Sequence, residues 1–439
     1  MSYEKIKSVI LAILVILSGT LTWSLWTYQP NYETIENGET VKEVSLSEKR
    51  DAKKIIKADR IFYHHENGLV GTINPAEIDR TFKELSRWTF SDFEDESSKI
   101  KNIPSFVQRV GMAEIIFPSH IPFNLYKNFL DIKGKDPDFH FDRIVIDVKN
   151  MKKEEGFVYF IDYQNQKVER SRVNSSFINV FKNNYYKPSL SSKKFNSYTS
   201  AKLTKKQNIY IRETESTYPT RSYLIEELSS NKFKNALFNN PSFVQKNYIL
   251  TGEEYTDGLT LMRVNVDKHI ISYLDPAAEE DYTINKEDLL QQSIDFVNNH
   301  GGWTDNFRYA EMDESTQTVL FRLYENNGLP VFSDEGMSEI LQVWGQNNIY
   351  KYVRNNFTLD LVTDQTDKTL LSGNEVLEQL KKEKGFKPEL LTDLVIGYTM
   401  SNDSQNLLLK LEPFWYYHYD NKWIQVKDQN QGGIKHGLE

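Results

Sequence analysis

The sequence predicts an α+β chain: a single N-terminal transmembrane helix, then a multi-domain ectodomain of antiparallel sheets with helices packed on one face. Three observations carry that expectation. Residues 8–28 contain no charged side chain, and at about 1.5 Å per residue a helix of that length matches the ~30 Å hydrocarbon core of a bilayer. Beyond them, short apolar or alternating runs are broken by turn residues, which marks strands. Twice in the last third, a capped amphipathic helix precedes several such runs, and helices laid on antiparallel sheets give an α+β fold.

The anchor has a direction. Lys5 and Lys7 precede it, no further Lys or Arg occurs before Lys42, and Glu33, Glu36 and Glu39 follow. The positive-inside bias then keeps residues 1–7 in the cytoplasm and exports everything after Tyr28. Trp23, Trp26 and Tyr28 fall at the outer end as interface anchors, where amphipathic rings prefer the headgroup level. A cleaved signal peptide has a shorter apolar core, about 7–15 residues, ending in a small-x-small site. Ser18-Gly19-Thr20 fits that site weakly, and an apolar, aromatic segment continues past it. The chain therefore reads as a single-pass protein of the cell membrane with an extracellular ectodomain. Ser8, Ala12, Val15, Gly19 and Thr22 share one stripe of the helix, where small side chains and hydroxyls let a second helix approach closely.

Composition removes several function classes. There is no cysteine, which excludes a lipidated N-terminus, disulfides, thiolate metal sites and thiol nucleophiles together. The formal net charge is −9, and the ectodomain is slightly more acidic once Lys5, Lys7 and Glu4 are set aside. Such a surface repels nucleic acid and anionic polymers, leaving a protein partner or a neutral or cationic ligand. With 25 Tyr and 25 Phe there is ample material for packed cores.

The ectodomain divides into a first unit at residues 31–110, a central α+β domain at 111–250, a C-terminal α+β domain at 251–428 and a disordered tail at 429–439. A polar stalk with a short helix within 45–58 leads in. Two apolar runs around Asn67-Gly68 predict a hairpin. Asn74 caps and Pro75 opens a helix whose Ile78, Phe82, Leu85 and Trp88 share a face. Asp92 to Glu96 reads as a solvated acidic loop. Residues 111–117 predict a buried strand ended by Pro118, followed by a short helix marked by Ile121, Leu125 and Phe129. Strands follow at 141–148, 156–163 and 167–173, an exposed connection at 185–206, a strand at 210–212 and a helix at 221–238. In the last third, Asn285 caps a helix with Leu290, Ile294 and Val297 on one face and Gly301 at its end. Strands at 318–323, 341–344 and 349–353 follow. The cycle restarts with a capping box at Ser372 and Glu375, then strands at 394–398, 407–415 and 423–426.

No catalytic, cofactor or metal residue is predicted. His64-His65-Glu66 is tempting, but adjacent strand residues point to opposite faces, so a surface hairpin is expected. The run Asp92–Glu96 lacks the alternating ligands and central glycine of a calcium loop, and Asp136-Pro137-Asp138 reads as a turn. No nucleophile elbow, Ser-x-x-Lys pair or phosphate-cradling loop occurs. The aromatic run Phe414 to Tyr419 reads as a strand with both faces covered, with a sugar- or partner-binding groove as the other reading.

Met1–Pro30, with its Leu-Thr-Trp-Ser-Leu-Trp end to the anchor, and the Ile61–Gly71 hairpin resemble the YycH (WalH) family. The resemblance implies a non-enzymatic accessory regulator in low-GC Gram-positive bacteria. It would act with a YycI-like partner on the WalK (YycG) sensor histidine kinase of the system controlling cell-wall metabolism, with transmembrane-helix contacts carrying much of the signal. It also implies a three-domain ectodomain whose later two domains share the fold of YycI, and it offers no catalytic residues or cofactor to carry over. Self-association stays open. The alternatives are a membrane-tethered cell-wall enzyme and a carbohydrate- or peptide-binding module using the strand around Trp415.

Overall fold

The structure is a computed structural model. It describes Lys7, Leu11, Leu14, Val15, residues 17–21, Trp23 and residues 47–427, apart from 136, 153, 205–206, 279–288, 346–347 and 404–407. The expected cap at Asn285 and the tail 429–439 lie outside the described residues. The chain forms two units, residues 1–43 and 44–439. In the first, the described residues are helical and exposed. Among the described residues no helix is long and apolar enough to cross a membrane.

In the second unit the described residues form three sheets. The first has ten strands in the order Asn208–Arg212, Asn196–Lys202, Gly68–Thr72, Arg60–His65, Met112–Pro122, His140–Asp147, Glu155–Asp162, Lys167–Asn174, Thr89–Asp95 and Asp131–Ile132. It is antiparallel except for its last pair. Strands from both sides of residue 110 share this sheet, so that expected boundary does not separate two sheets. The hairpin is present, but His65 pairs with Gly68, so Glu66 and Asn67 form its tip. Gly68, at φ +132°, takes the backbone angle that a side chain would resist.

Local signals placed the helices well. Asn74 Oδ1 accepts the Ala76 amide at 2.9 Å, and Pro75–Leu85 follows. Trp88 lies past its end yet is fully buried, stacked on Phe177 at 5.9 Å. Phe177 belongs to the helix Ser175–Phe181 on the same face. Helices do not keep to one face of this sheet. Ile103–Val107 packs on the other side, over Val145, Ile161 and Val168. The cause is the run Met112–Phe117, buried at every position and apolar except at Glu114: a strand buried on both faces needs cover on both. Pro118 does not end that strand; it sits in the register break between Ile116 and Ile121, and pairing resumes after it.

Two acidic and basic runs also find each other. Residues 92–95 are not a loop but part of the strand Thr89–Asp95, beside Lys167–Asn174. Arg172 pairs with Asp92, and Arg170 with Glu94 at 2.5 Å and Glu96 at 3.2 Å. Opposite charges on facing strands make a sheet edge out of a sequence that reads as solvated. The expected connection at 185–206 likewise contains the strand Asn196–Lys202, which joins the hairpin to Asn208–Arg212.

Residues 221–227 are strand rather than helix. The long strand Ser216–Glu227 pairs with Phe357–Leu370 and with Leu408–Tyr419, and a helix follows only at Ser230–Leu237. These strands belong to a six-stranded sheet completed by Val331–Phe332, Leu391–Asp403 and Lys422–Gln425. Glu227 faces Phe357 across the ladder, and the Leu228 amide donates to the Asn356 carbonyl at 2.6 Å. Apart from Val331–Phe332, which returns to pair with Leu391–Asp403, most of what lies between is an excursion from one paired stem. It carries the helix Leu289–Asn299 and an eight-stranded antiparallel sheet. That sheet starts at Gln245–Ile249, so residue 250 falls inside it. The two expected helix-then-strands units are both present, one in each of these sheets. The second opens with Gly373–Lys382, where Ser372 and Glu375 form the expected capping box.

Candidate functional site

Two features bring distant parts of the second unit together. The first is a cavity of about 80 Å³ where the three sheets meet. Arg60, Tyr198, Tyr210 and Arg212 line it from the ten-stranded sheet, Tyr218, Phe332, Asp393, Trp415 and Trp423 from the six-stranded sheet, and Ala310 and Arg322 from the eight-stranded sheet. Arg60 closes on Asp393 with both terminal nitrogens, at 2.9 and 2.6 Å. A two-pronged guanidinium–carboxylate pair is among the stronger charge-assisted contacts, and this one ties two sheets. Burial raises the Asp393 carboxyl, but the charge and hydrogen bonds of Arg60 outweigh it and hold it low. Asp59, on the other side of Arg60, accepts from the Tyr324 hydroxyl at 2.9 Å. Burial pushes its carboxyl up to about 6 despite Arg60.

Tyr210 connects this cavity to a buried charge network. Its hydroxyl donates to Glu114, which is fully buried and also contacts His64 Nε2 at 2.5 Å and Arg143 Nη1 at 3.0 Å. Desolvation alone would raise the Glu114 carboxyl; the hydrogen bond and charge of His64, with Arg143 and Tyr210, reverse that and hold it below the ordinary range. His64 and His65 do point to opposite sides of their strand, as expected, but they are not on the surface. They are 6% and 9% exposed, and His65 Nε2 lies 2.9 Å from Ser189 Oγ. Their partners come from segments that the local sequence does not reveal. Among the described residues no group of three or more His, Asp or Glu side chains is placed to hold a metal ion.

The second feature is a latch on the stalk. Glu48 forms a β-bridge with Trp303, and the Arg50 guanidinium donates to the carbonyls of Asp305 at 2.7 Å and Thr304 at 3.1 Å. Asn298 Oδ1 also accepts the Trp303 indole N–H at 2.8 Å, and that indole is fully buried. Gly302 allows the approach: its φ is +76°, and a Cβ there would meet the Ser47 carbonyl oxygen at 2.5 Å. Residues 47–50 are thus held by the excursion.

Of the expected anchor residues, Ser8, Ala12, Thr22, Trp26 and Tyr28 lie outside the described residues. Val15 and Trp23 are 65% and 74% exposed, and nothing lies within 4 Å of the position a Cβ would take on Gly19. The aromatic run has Trp415, Tyr416 and Tyr417 all buried, with the Trp415 indole donating to the Leu371 carbonyl at 3.0 Å. Arg60, Arg212 and Arg322 were not singled out by the sequence. The available signal was an arginine at the end of, or inside, an otherwise apolar strand, as in Thr318–Leu323.

Comparison with known proteins accounts for this architecture. Residues 4–187 match the family model of the YycH protein N-terminal domain, and residues 206–433 that of its C-terminal domain. The chain belongs to the YycH family. It is similar to the two-component system WalR/WalK regulatory protein YycH of Bacillus subtilis (strain 168), with 22% identity over 461 residues and 100% of each chain covered. Its fold is similar to that in the crystal structure of YycH from Bacillus subtilis. There the TM-score is 0.72 at 19% identity, covering 86% of this chain and 98% of the other. The YycH resemblance carried by the anchor and the hairpin segment is thereby confirmed over both halves of the chain.

Proposed function

We propose that the chain is a non-enzymatic, membrane-anchored extracytoplasmic regulator of a WalK-type sensor histidine kinase, in the two-component system that controls cell-wall metabolism. What carries this reading is the match of both YycH family models, together with the regulatory role named for the full-length Bacillus relative. The anchor at residues 8–28 sets its Ser8, Ala12, Val15, Gly19 and Thr22 stripe against a helix of the kinase or of a YycI-like partner. Trp23, Trp26 and Tyr28 fix its depth, and the ectodomain holds the partner outside the cell. The exposed apolar helical residues Leu11, Leu14, Leu17 and Leu21 support an anchor, since such side chains belong in lipid or against another helix. Biasing a kinase between two states needs a differential interaction of only a few kcal/mol. The test replaces Ala12 and Gly19 with Leu and reads kinase-dependent transcription. A changed output at normal membrane levels is expected; an unchanged one opposes the helix contact.

A further inference from the structure

The cavity where the sheets meet has chemistry that the regulatory reading does not use. On a scale where one water needs about 10–15 Å³, 80 Å³ holds roughly five to eight heavy atoms. Three guanidiniums line it, from Arg60, Arg212 and Arg322, and each has a buried Nε with no hydrogen-bond partner among the described residues. A buried donor left unpaired costs about 1–3 kcal/mol, more on a cation, so an acceptor held beside these guanidiniums would be stabilised. Their terminal nitrogens are engaged differently. Arg60 grips Asp393, and Arg322, 94% buried, holds Glu339 at 2.6 Å. Arg212 donates only to neutral oxygens, Tyr218 Oη and Asn196 Oδ1, both at 2.9 Å. Of the three, Arg212 alone has no carboxylate partner among the described residues.

We propose that this cavity is a binding site for a small monocarboxylate of amino-acid or hydroxy-acid size, its carboxylate held by the Arg212 guanidinium. A planar carboxylate matches the two-pronged guanidinium fork. Asp59 and Asp393 in the same wall repel a dianion such as phosphate, and Asp59 can receive the ligand's ammonium or hydroxyl. Tyr218, Trp415 and Trp423 supply the flat apolar walls common in small-molecule sites. The acidity of the whole surface does not oppose this, because a local guanidinium sets the charge preference of the cavity it lines. The proposal deepens the regulatory reading by naming what the ectodomain senses, and its test needs no kinase, so either can fail alone.

The full chain in detergent or nanodiscs is titrated with alanine, lactate, acetate and inorganic phosphate at constant ionic strength, reading tryptophan fluorescence and the thermal unfolding midpoint. Saturable binding of alanine or lactate is expected, tighter than phosphate. Arg212→Gln weakens it at least tenfold. Should that variant fold poorly, Ala310→Leu, which fills the cavity without touching a charge, abolishes binding instead. No saturable signal at tens of millimolar, phosphate binding more tightly than the carboxylates, or binding that survives both substitutions overturns the proposal.

Discussion

Asn298 holds Arg50 by both of its backbone groups, accepting the Arg50 amide at 2.9 Å and donating to the Arg50 carbonyl at 3.0 Å across 248 residues of sequence. A side-chain amide here does the work of a neighbouring strand. Removing it exposes the arrangement to a direct test. Asn298→Ala strips partners from the Arg50 backbone and the Trp303 indole at once, a loss of about 1–3 kcal/mol for buried groups. Hydrogen exchange at residues 47–50 and at Trp303 should rise, with the ten-stranded sheet unaffected. Gly302→Ala should do the same by steric exclusion of Ser47.

The Arg60–Asp393 pair is the charged tie between the ten- and six-stranded sheets. Breaking a well-buried pair by removing one partner costs about 3–5 kcal/mol. With the two side chains 14% and 21% exposed, Asp393→Ala should fall somewhat lower, near about 2–3 kcal/mol. A double-mutant cycle with Arg60→Ala, measured by urea unfolding, should return a coupling of about 1–3 kcal/mol. Simple additivity would mean that this ion pair does not couple the two sheets.

Glu114 is the most demanding carboxylate in the fold, since three donors converge on a side chain with no exposure. Glu114→Gln keeps the shape and leaves Arg143 facing a neutral amide, a destabilisation of about 3 kcal/mol. Glu169→Gln, on a half-buried strand position with no buried guanidinium to balance, is the comparison and should lie within about 1 kcal/mol of the parent.

Burial pushes the Asp305 carboxyl up to about 6 from 3.8, against the opposing pull of the Leu359 amide, Thr304 and the Arg354 and Arg50 charges. A carboxyl raised on folding binds more protons in the folded chain than in the unfolded one between those values. Its contribution is therefore favourable below about pH 4 and is lost as pH rises through about 6. Asp305→Asn removes that dependence. Relative to the parent, the variant should gain about 2 kcal/mol on going from pH 4.5 to 7.5. An unchanged stability difference between variant and parent at the two pH values would refute the shift.

How much of this was readable in advance depends on the range of the interaction. Caps are local, so Asn74 and the Ser372–Glu375 box placed their helices correctly. The segment at 221–238 misled because Leu224, Ile225 and Leu228 have helical spacing, while the deciding partner, Phe357–Leu370, lies far along the chain. The acidic run at 92–96 misled for the same reason, its arginines being on another strand. His64 and His65 are buried only because Glu114 and Ser189 arrive from elsewhere. The cavity, built from side chains of three sheets, has no local signature beyond isolated arginines in apolar strands.

The stem at Glu227 and Phe357 gives the intervening 129 residues the character of a cassette. Its two ends leave side by side, but Val331–Phe332 within it pairs with Leu391–Asp403, and Glu325 accepts from Arg221 and Tyr223, so it is stitched back into the six-stranded sheet. The same segment also holds residues 47–50. Its loss would therefore take away both the grip on residues 47–50 and one strand of the six-stranded sheet.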